Sequence, residues 1–150
     1  MAMTKQEFCA PSSDGIHTLR GVVYLPEGEA RGYFHVVHGM TEYIGRYDAF
    51  MTDMARAGWI CFGYDNLGHG KTVNDNSELG YIAKKDGFDL LCRDVKVFSD
   101  AVMSEYKETY GELPYILMCP CSTPSARGLP DCCRYWLLRS RRSRPGFPGR

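Results

Sequence analysis

The chain has 150 residues, 44% of them hydrophobic and 13% aromatic, which suits one globular domain with a real core. Its formal net charge is zero but unevenly spread: residues 1–118 carry 11 Lys and Arg against 17 Asp and Glu, and residues 119–150 carry 7 Arg against one acid, Asp131. No stretch approaches 18 apolar residues and "MAMTKQEF" lacks the apolar core of a signal peptide, so a membrane span and a secretion signal are both unexpected. Seven cysteines, an odd number without such a signal, argue against a disulfide framework and for a cytoplasmic chain.

In chain order, "KQEFCA" reads as a short strand. "SSDGIH" is a turn around Asp14-Gly15, and "HTLRGVVYL" alternates and is β-rich, so the start is expected to be a hairpin. "GYFHVVHG" is an apolar, β-branched run ending at Gly39, a buried strand. "YDAFMTDMARAGW" places Phe50, Met54 and Ala57 at helical spacing, with Gly58 suited to the helix end. "WICFGYD" is the next buried strand. The stretch from Gly87 to Gly111 carries apolar residues at 88, 91, 95, 98 and 102, a long amphipathic helix closed by glycine. "PYILM" is a further strand. Strands alternating with helices imply crossovers and a parallel sheet, with function at the carboxyl ends of the strands. Those ends carry unusual chemistry: "HGMTE", "DNLGHG" and "CPCST".

In "VVHGMTEYIGRY", Gly39 lets the backbone turn tightly after His38, so the Met40 N–H would face the crevice, where an exposed amide can stabilise an oxyanion. The plainer reading is a strand-to-helix turn with Glu42 and Arg46 as a local ion pair. In "YDNLGHGKT", the ending Gly70-Lys71-Thr72 echoes a phosphate-binding loop. The first glycine of that motif would have to stand at 65, which is Asp65. His69 has no second metal ligand at i+4.

Together, "HGMTEYIGRY" and "YDNLGHGKT" at this separation resemble the α/β-hydrolase branch that contains monoacylglycerol lipases, lysophospholipases and serine aminopeptidase-like hydrolases. The resemblance runs from about residue 5 to Met118. It implies an α/β fold, here the N-terminal half of a mostly parallel sheet with flanking helices. It also implies hydrolysis of carboxylic esters of lipids, monoacylglycerol or lysophospholipid, through an acyl-serine intermediate. By the same resemblance, the His38-Gly39 turn supplies an oxyanion amide at Met40. The turn from Asp65 through Gly68, His69 and Gly70 is then mainly structural. A small-molecule lipid ester is the expected partner, together with peripheral membrane or lipid contact; no nucleic acid and no cofactor or metal is expected.

The family continues with a glycine-flanked serine straight after the strand that matches "PYILM". The aligned residues are Cys119, Pro120, Cys121, Ser122 and Thr123. Cys121 takes the serine's place without the flanking glycines. Pro120 fixes φ just before it, and Thr123 puts a β-branch where close packing is needed. A cysteine nucleophile needs a base. The four histidines, His17, His35, His38 and His69, all precede it, whereas the family's acid and base follow the nucleophile. The 150-residue chain is therefore expected to be inactive.

Residues 119–150 read as a separate Arg/Pro/Cys-rich tail, without a core position and expected to be disordered. Of these 32 residues, 24 are Pro, Arg, Gly, Ala, Cys or Ser, and Lys, Glu, Asn, Gln, His, Ile, Val and Met are absent. Such composition is expected when GC-rich coding DNA is read out of frame. The competing reading is a non-catalytic interaction protein whose tail binds zinc or nucleic acid. Its cysteines, at 119, 121, 132 and 133, depart from paired zinc-site spacing, and "RSRRSR" lacks interleaved aromatics.

Overall fold

The structure, a computed structural model of the chain, describes residues 2–119. Five strands form one sheet: β1 (Met3–Pro11), β2 (Thr18–Pro26), β3 (Gly32–Val37), β4 (Trp59–Tyr64) and β5 (Tyr115–Met118). Helix α1 (Asp48–Arg56) joins β3 to β4, and α2 (Gly87–Tyr110) lies between β4 and β5. The spatial order is β1-β2-β4-β3-β5. The expected hairpin is present, with β1 and β2 antiparallel from Met3 opposite Pro26 to Pro11 opposite Thr18. β4, β3 and β5 run parallel, and β2 joins them antiparallel to β4.

This order explains where the helices go. The β3-to-β4 connection moves across the sheet in one direction, and the β4-to-β5 connection moves back past β3. Parallel crossovers are right-handed, so opposite directions put the two helices on opposite faces. Strand alternation then sorts the core. Leu19, Val23, Tyr33, Ile60, Phe62 and Tyr64 face α2, meeting Phe98 and Val102. Val22, Tyr24, Val36 and Cys61 face α1, meeting Met51 and Ala55.

Two glycines permit this packing. A Cβ on Gly21 would lie 2.6 Å from the Phe98 ring, and one on Gly63 would lie 2.3 Å from Ile44 Cδ1. A positive φ of 93° at Gly58, just after α1, agrees with the expected helix end.

The helix faces differ from the sequence reading in register. In α1 the buried pair is Met51 and Ala55, not Phe50 and Ala57. Small Ala55 and adaptable Met51 allow the helix to approach the sheet. Phe50 stays at the rim, edge-on to Phe34 at 5.7 Å. In α2, Val95, Phe98 and Val102 are buried as expected, but Phe88 is 58% exposed. Asp94 takes a buried place instead, accepting from Ser12 Oγ at 2.8 Å and from the Ser13 N–H at 2.6 Å. That pair docks the hairpin turn onto α2.

Candidate active site

β3 leaves the sheet towards α1 on one face, and β4 leaves towards α2 on the other. Adjacent parallel strands whose connections part in this way open a crevice at their carboxyl ends, the usual ligand position in such sheets. Val37 lies opposite Tyr64, and Val36 opposite Met118. The "HGMTE" and "DNLGHG" turns therefore adjoin one another, with Cys119 at the neighbouring strand end.

His38 is buried between the two turns. Its Nε2 faces the Asn66 N–H at 2.9 Å. An amide can only donate, so Nε2 accepts and the ring proton sits on Nδ1, which donates to the Gly39 carbonyl at 2.8 Å. The Asn66 side-chain amide donates back to the His38 carbonyl at 3.1 Å. Asp65 Oδ1 lies 3.9 Å from His38 Nε2, but that nitrogen's lone pair is occupied, so the two do not form an ion pair. Burial holds the His38 pKa below its ordinary value, which agrees with a neutral ring.

Asp65 knots the second turn. Its carboxylate accepts from the Ile44 N–H and the Lys71 N–H, each at 2.8 Å. Its carbonyl accepts from Thr72 Oγ1 at 2.6 Å. Gly70, with φ of 49°, lies so close that a Cβ would fall 2.1 Å from Asp65 Oδ2. Gly68, with φ of 73°, lies against the Tyr81 backbone. Both glycines are required by conformation and by space. His69 bridges the turns, with Nδ1 2.8 Å from the Leu67 carbonyl and Nε2 2.7 Å from the Met40 carbonyl. These contacts tie the second turn to Met40, Ile44 and Tyr81.

Glu42 and Arg46 do not meet as a direct ion pair. The Glu42 carboxylate accepts from the Gly39 N–H at 3.0 Å and from the Tyr47 hydroxyl at 2.7 Å. Those bonds, that of Tyr47 foremost, hold its pKa below the ordinary carboxylate value, and the Arg46 charge helps to hold it down. No described residue accepts from the Met40 N–H, and Met40 is 58% exposed. Cys121, Pro120, Ser122 and Thr123 lie outside the described residues. So do the remaining tail cysteines and "RSRRSR".

The sequence reading missed Asn66 as the partner of His38, and Glu42 as the brace of Gly39. Their presence inside the two motifs was the available signal. Which side chain meets which main-chain group was not in the pattern.

A sheet with this strand order, opposed helices and turns of this kind at the switch point defines an α/β-hydrolase. The chain belongs to the serine aminopeptidase S33 family, whose model matches residues 28–121. Among solved structures, it is similar to a highly thermostable carboxyl esterase from Bacillus coagulans, solved with glycerol. The identity is 28% and the TM-score 0.67, covering 77% of this chain and 36% of that one. A monoglyceride lipase from Saccharomyces cerevisiae, solved with a substrate analogue, shares the fold at 19% identity and TM-score 0.58, covering 79% and 35%. A lipase in open form gives 20% and 0.61, covering 79% and 36%. The chain thus spans about a third of the length of these structures. No protein with a curated description matches. No helix among the described residues is long and apolar enough to cross a membrane.

Proposed function

We propose that residues 1–118 are the N-terminal part of a carboxylic ester hydrolase acting on lipid esters, monoacylglycerol or lysophospholipid, through an acyl-serine intermediate. In this reading the Met40 N–H is one oxyanion donor. The observation that supports it is an unclaimed amide, on a turn braced from three sides, at the switch point and beside the exit of β5. A preorganised donor of this kind contributes on the order of 10²–10³ in kcat. The names of the similar esterase and lipases support the substrate class. Residues 119–150 are a tail foreign to this domain, and the 150-residue polypeptide does not turn over esters. It has no histidine after His69 and one acid, Asp131, after Met118.

The test has two arms. With a short-chain aryl ester and a monoacylglycerol, the 150-residue chain stays at background. Turnover abolished by Cys121→Ala or Ser122→Ala would overturn the inactive reading. In the second arm, coding DNA downstream of Met118 is translated in the other frames. One frame is expected to give a glycine-flanked serine with a later acid and histidine. The polypeptide so restored should hydrolyse monoacylglycerol, and its Met40 amide proton should move downfield when a phosphonate ester caps the serine. Arg/Pro-rich sequence in every frame would sink the account of the tail. Turnover with an unmoved Met40 amide would sink its oxyanion role.

A further inference from the structure

The Met40 N–H belongs to the peptide that also carries the Gly39 carbonyl. No described peptide bond is cis, so the two groups point in opposite directions within one plane. Whatever grips the Gly39 carbonyl therefore aims the Met40 N–H. That carbonyl accepts from His38 Nδ1 at 2.8 Å and from the Glu42 N–H at 3.2 Å. The next peptide is gripped as well, because the Met40 carbonyl lies 2.7 Å from His69 Nε2. Two imidazoles, their centroids 5.1 Å apart, thus hold the two peptide planes on either side of Met40 Cα. Rotation of the Met40 N–H needs φ or ψ changes that break one of these bonds.

The partners also dictate the ring protons. His38 meets a donor at Nε2 and a carbonyl at Nδ1, so its proton must be on Nδ1. His69 meets carbonyls at both nitrogens. Each contact calls for a ring proton, and the one on Nε2 is what holds Met40, because a bare Nε2 would set a lone pair against the carbonyl's. We propose that His38 and His69 are positioning residues that aim the Met40 N–H into the crevice, His38 as the Nδ1–H form and His69 with a proton on Nε2. The Asp65 turn is then the platform that carries His69 to Met40, which explains why it tolerates no side chain at Gly70. This inference rests on the oxyanion reading of Met40, but its test reads ring protons and amide positions rather than turnover, so each can fail alone.

The experiment is nitrogen-15 NMR of the 150-residue chain labelled at histidine, with long-range correlations to the ring carbons' protons. Resonances are assigned through His38→Gln, His69→Gln and His69→Leu. At neutral pH, His38 should show a protonated Nδ1 and a bare Nε2, and His69 a protonated Nε2. A bare Nε2 on His69, or a protonated Nε2 on His38, overturns the proposal in the wild-type chain with no variant needed. In backbone spectra, the Met40 amide should shift in His69→Leu and return towards its wild-type position in His69→Gln, whose side-chain amide can still donate. The amides of Val23 and Phe62 in the sheet should stay in place and report an intact fold. A Met40 amide equally displaced in both variants would reduce His69 to a space-filling residue.

Discussion

His35 and His38 lie on one strand and its exit, both buried, yet their surroundings could hardly differ more. His35 points into the aromatic layer under α2, stacked on Phe62 at 4.5 Å, with Phe98 and Tyr64 close by. Its Nδ1 meets the Tyr115 hydroxyl at 2.8 Å, and its Nε2 has no partner among the described residues. The hydroxyls of Tyr33 and Tyr64, on the same face, are likewise unpartnered. At His38 both ring nitrogens are bonded, and so are the polar groups around it. The interior is built from aromatic burial, and among the described residues it leaves three polar atoms without a partner. The strand-end turns bind both nitrogens of each buried histidine, and the Met40 N–H has no acceptor among the described residues. Burial of a histidine is therefore no sign of a site; the sign is a set of partners that dictates where its proton sits.

The largest expected effect is the pH dependence that His35, with one ring nitrogen unpartnered among the described residues, brings to stability. Desolvation pushes the His35 pKa down to about 3, from an ordinary 6.5. The unfolded chain takes up the proton first, so stability present above 6.5 is lost as pH falls towards 3. At about 1.4 kcal/mol per unit, the full loss is of order 5 kcal/mol. His35→Phe keeps the ring and removes the titration. Urea unfolding between pH 6 and 4 should show the wild type losing up to about 1.4 kcal/mol per pH unit more than the variant. Parallel slopes would mean that His35 finds a proton acceptor or water when folded, and the contrast with His38 would fall.

Next in size is Asp65→Ala. It removes the acceptor of two amide bonds in a buried turn. Hydrogen bonds to a charged group contribute about 1.5–3 kcal/mol each, so a loss of about 3–5 kcal/mol is expected at neutral pH. The denaturation midpoint measures it. A loss below about 1 kcal/mol would show that water replaces the carboxylate and that the turn is not a rigid platform.

The smallest effect comes from a half-buried histidine in the hairpin turn. His17 lies between Asp14 Oδ2 at 2.6 Å and Glu78 Oε2 at 3.1 Å, joining the hairpin turn to the loop before α2. The bond to Asp14, and then that to Glu78, raises its pKa. Its contribution is present below 6.5 and is lost as pH rises through the raised value, the opposite sign to His35. A charge-assisted bond of this kind contributes about 1–2 kcal/mol. His17→Gln should therefore destabilise by that much at pH 5.5 and hardly at pH 9. A larger loss, or one that grows with pH, would contradict the sign derived from its carboxylate partners.

Much of the fold was legible in the residues. The hairpin, the strands at 32–37, 59–64 and 115–118, and the helix closing at Gly111 follow from alternation, β-branching and helical spacing, all local properties. The α1 face was misread because Phe50–Met54 and Met51–Ala55 are both i,i+4 pairs, and only the approach of the sheet chooses between them. Asp94 is an acid on the buried side of an amphipathic helix, which apolar spacing alone does not mark. Two serines more than 80 residues earlier make its burial tolerable.

At the candidate site, the sequence by itself determined the motifs and their family: His38-Gly39 and Asp65 through Gly70 are short patterns whose glycines answer to backbone conformation. It also determined the charge break at residue 119 and the absence of any histidine beyond 69. Only the tertiary structure decided that β4 would lie between β2 and β3, and that the two turns would therefore meet. Strand neighbours depend on the hand and direction of crossovers, which no local pattern encodes. Ring protons follow from that meeting, because a histidine's tautomer is set by groups that the fold brings to it from another strand.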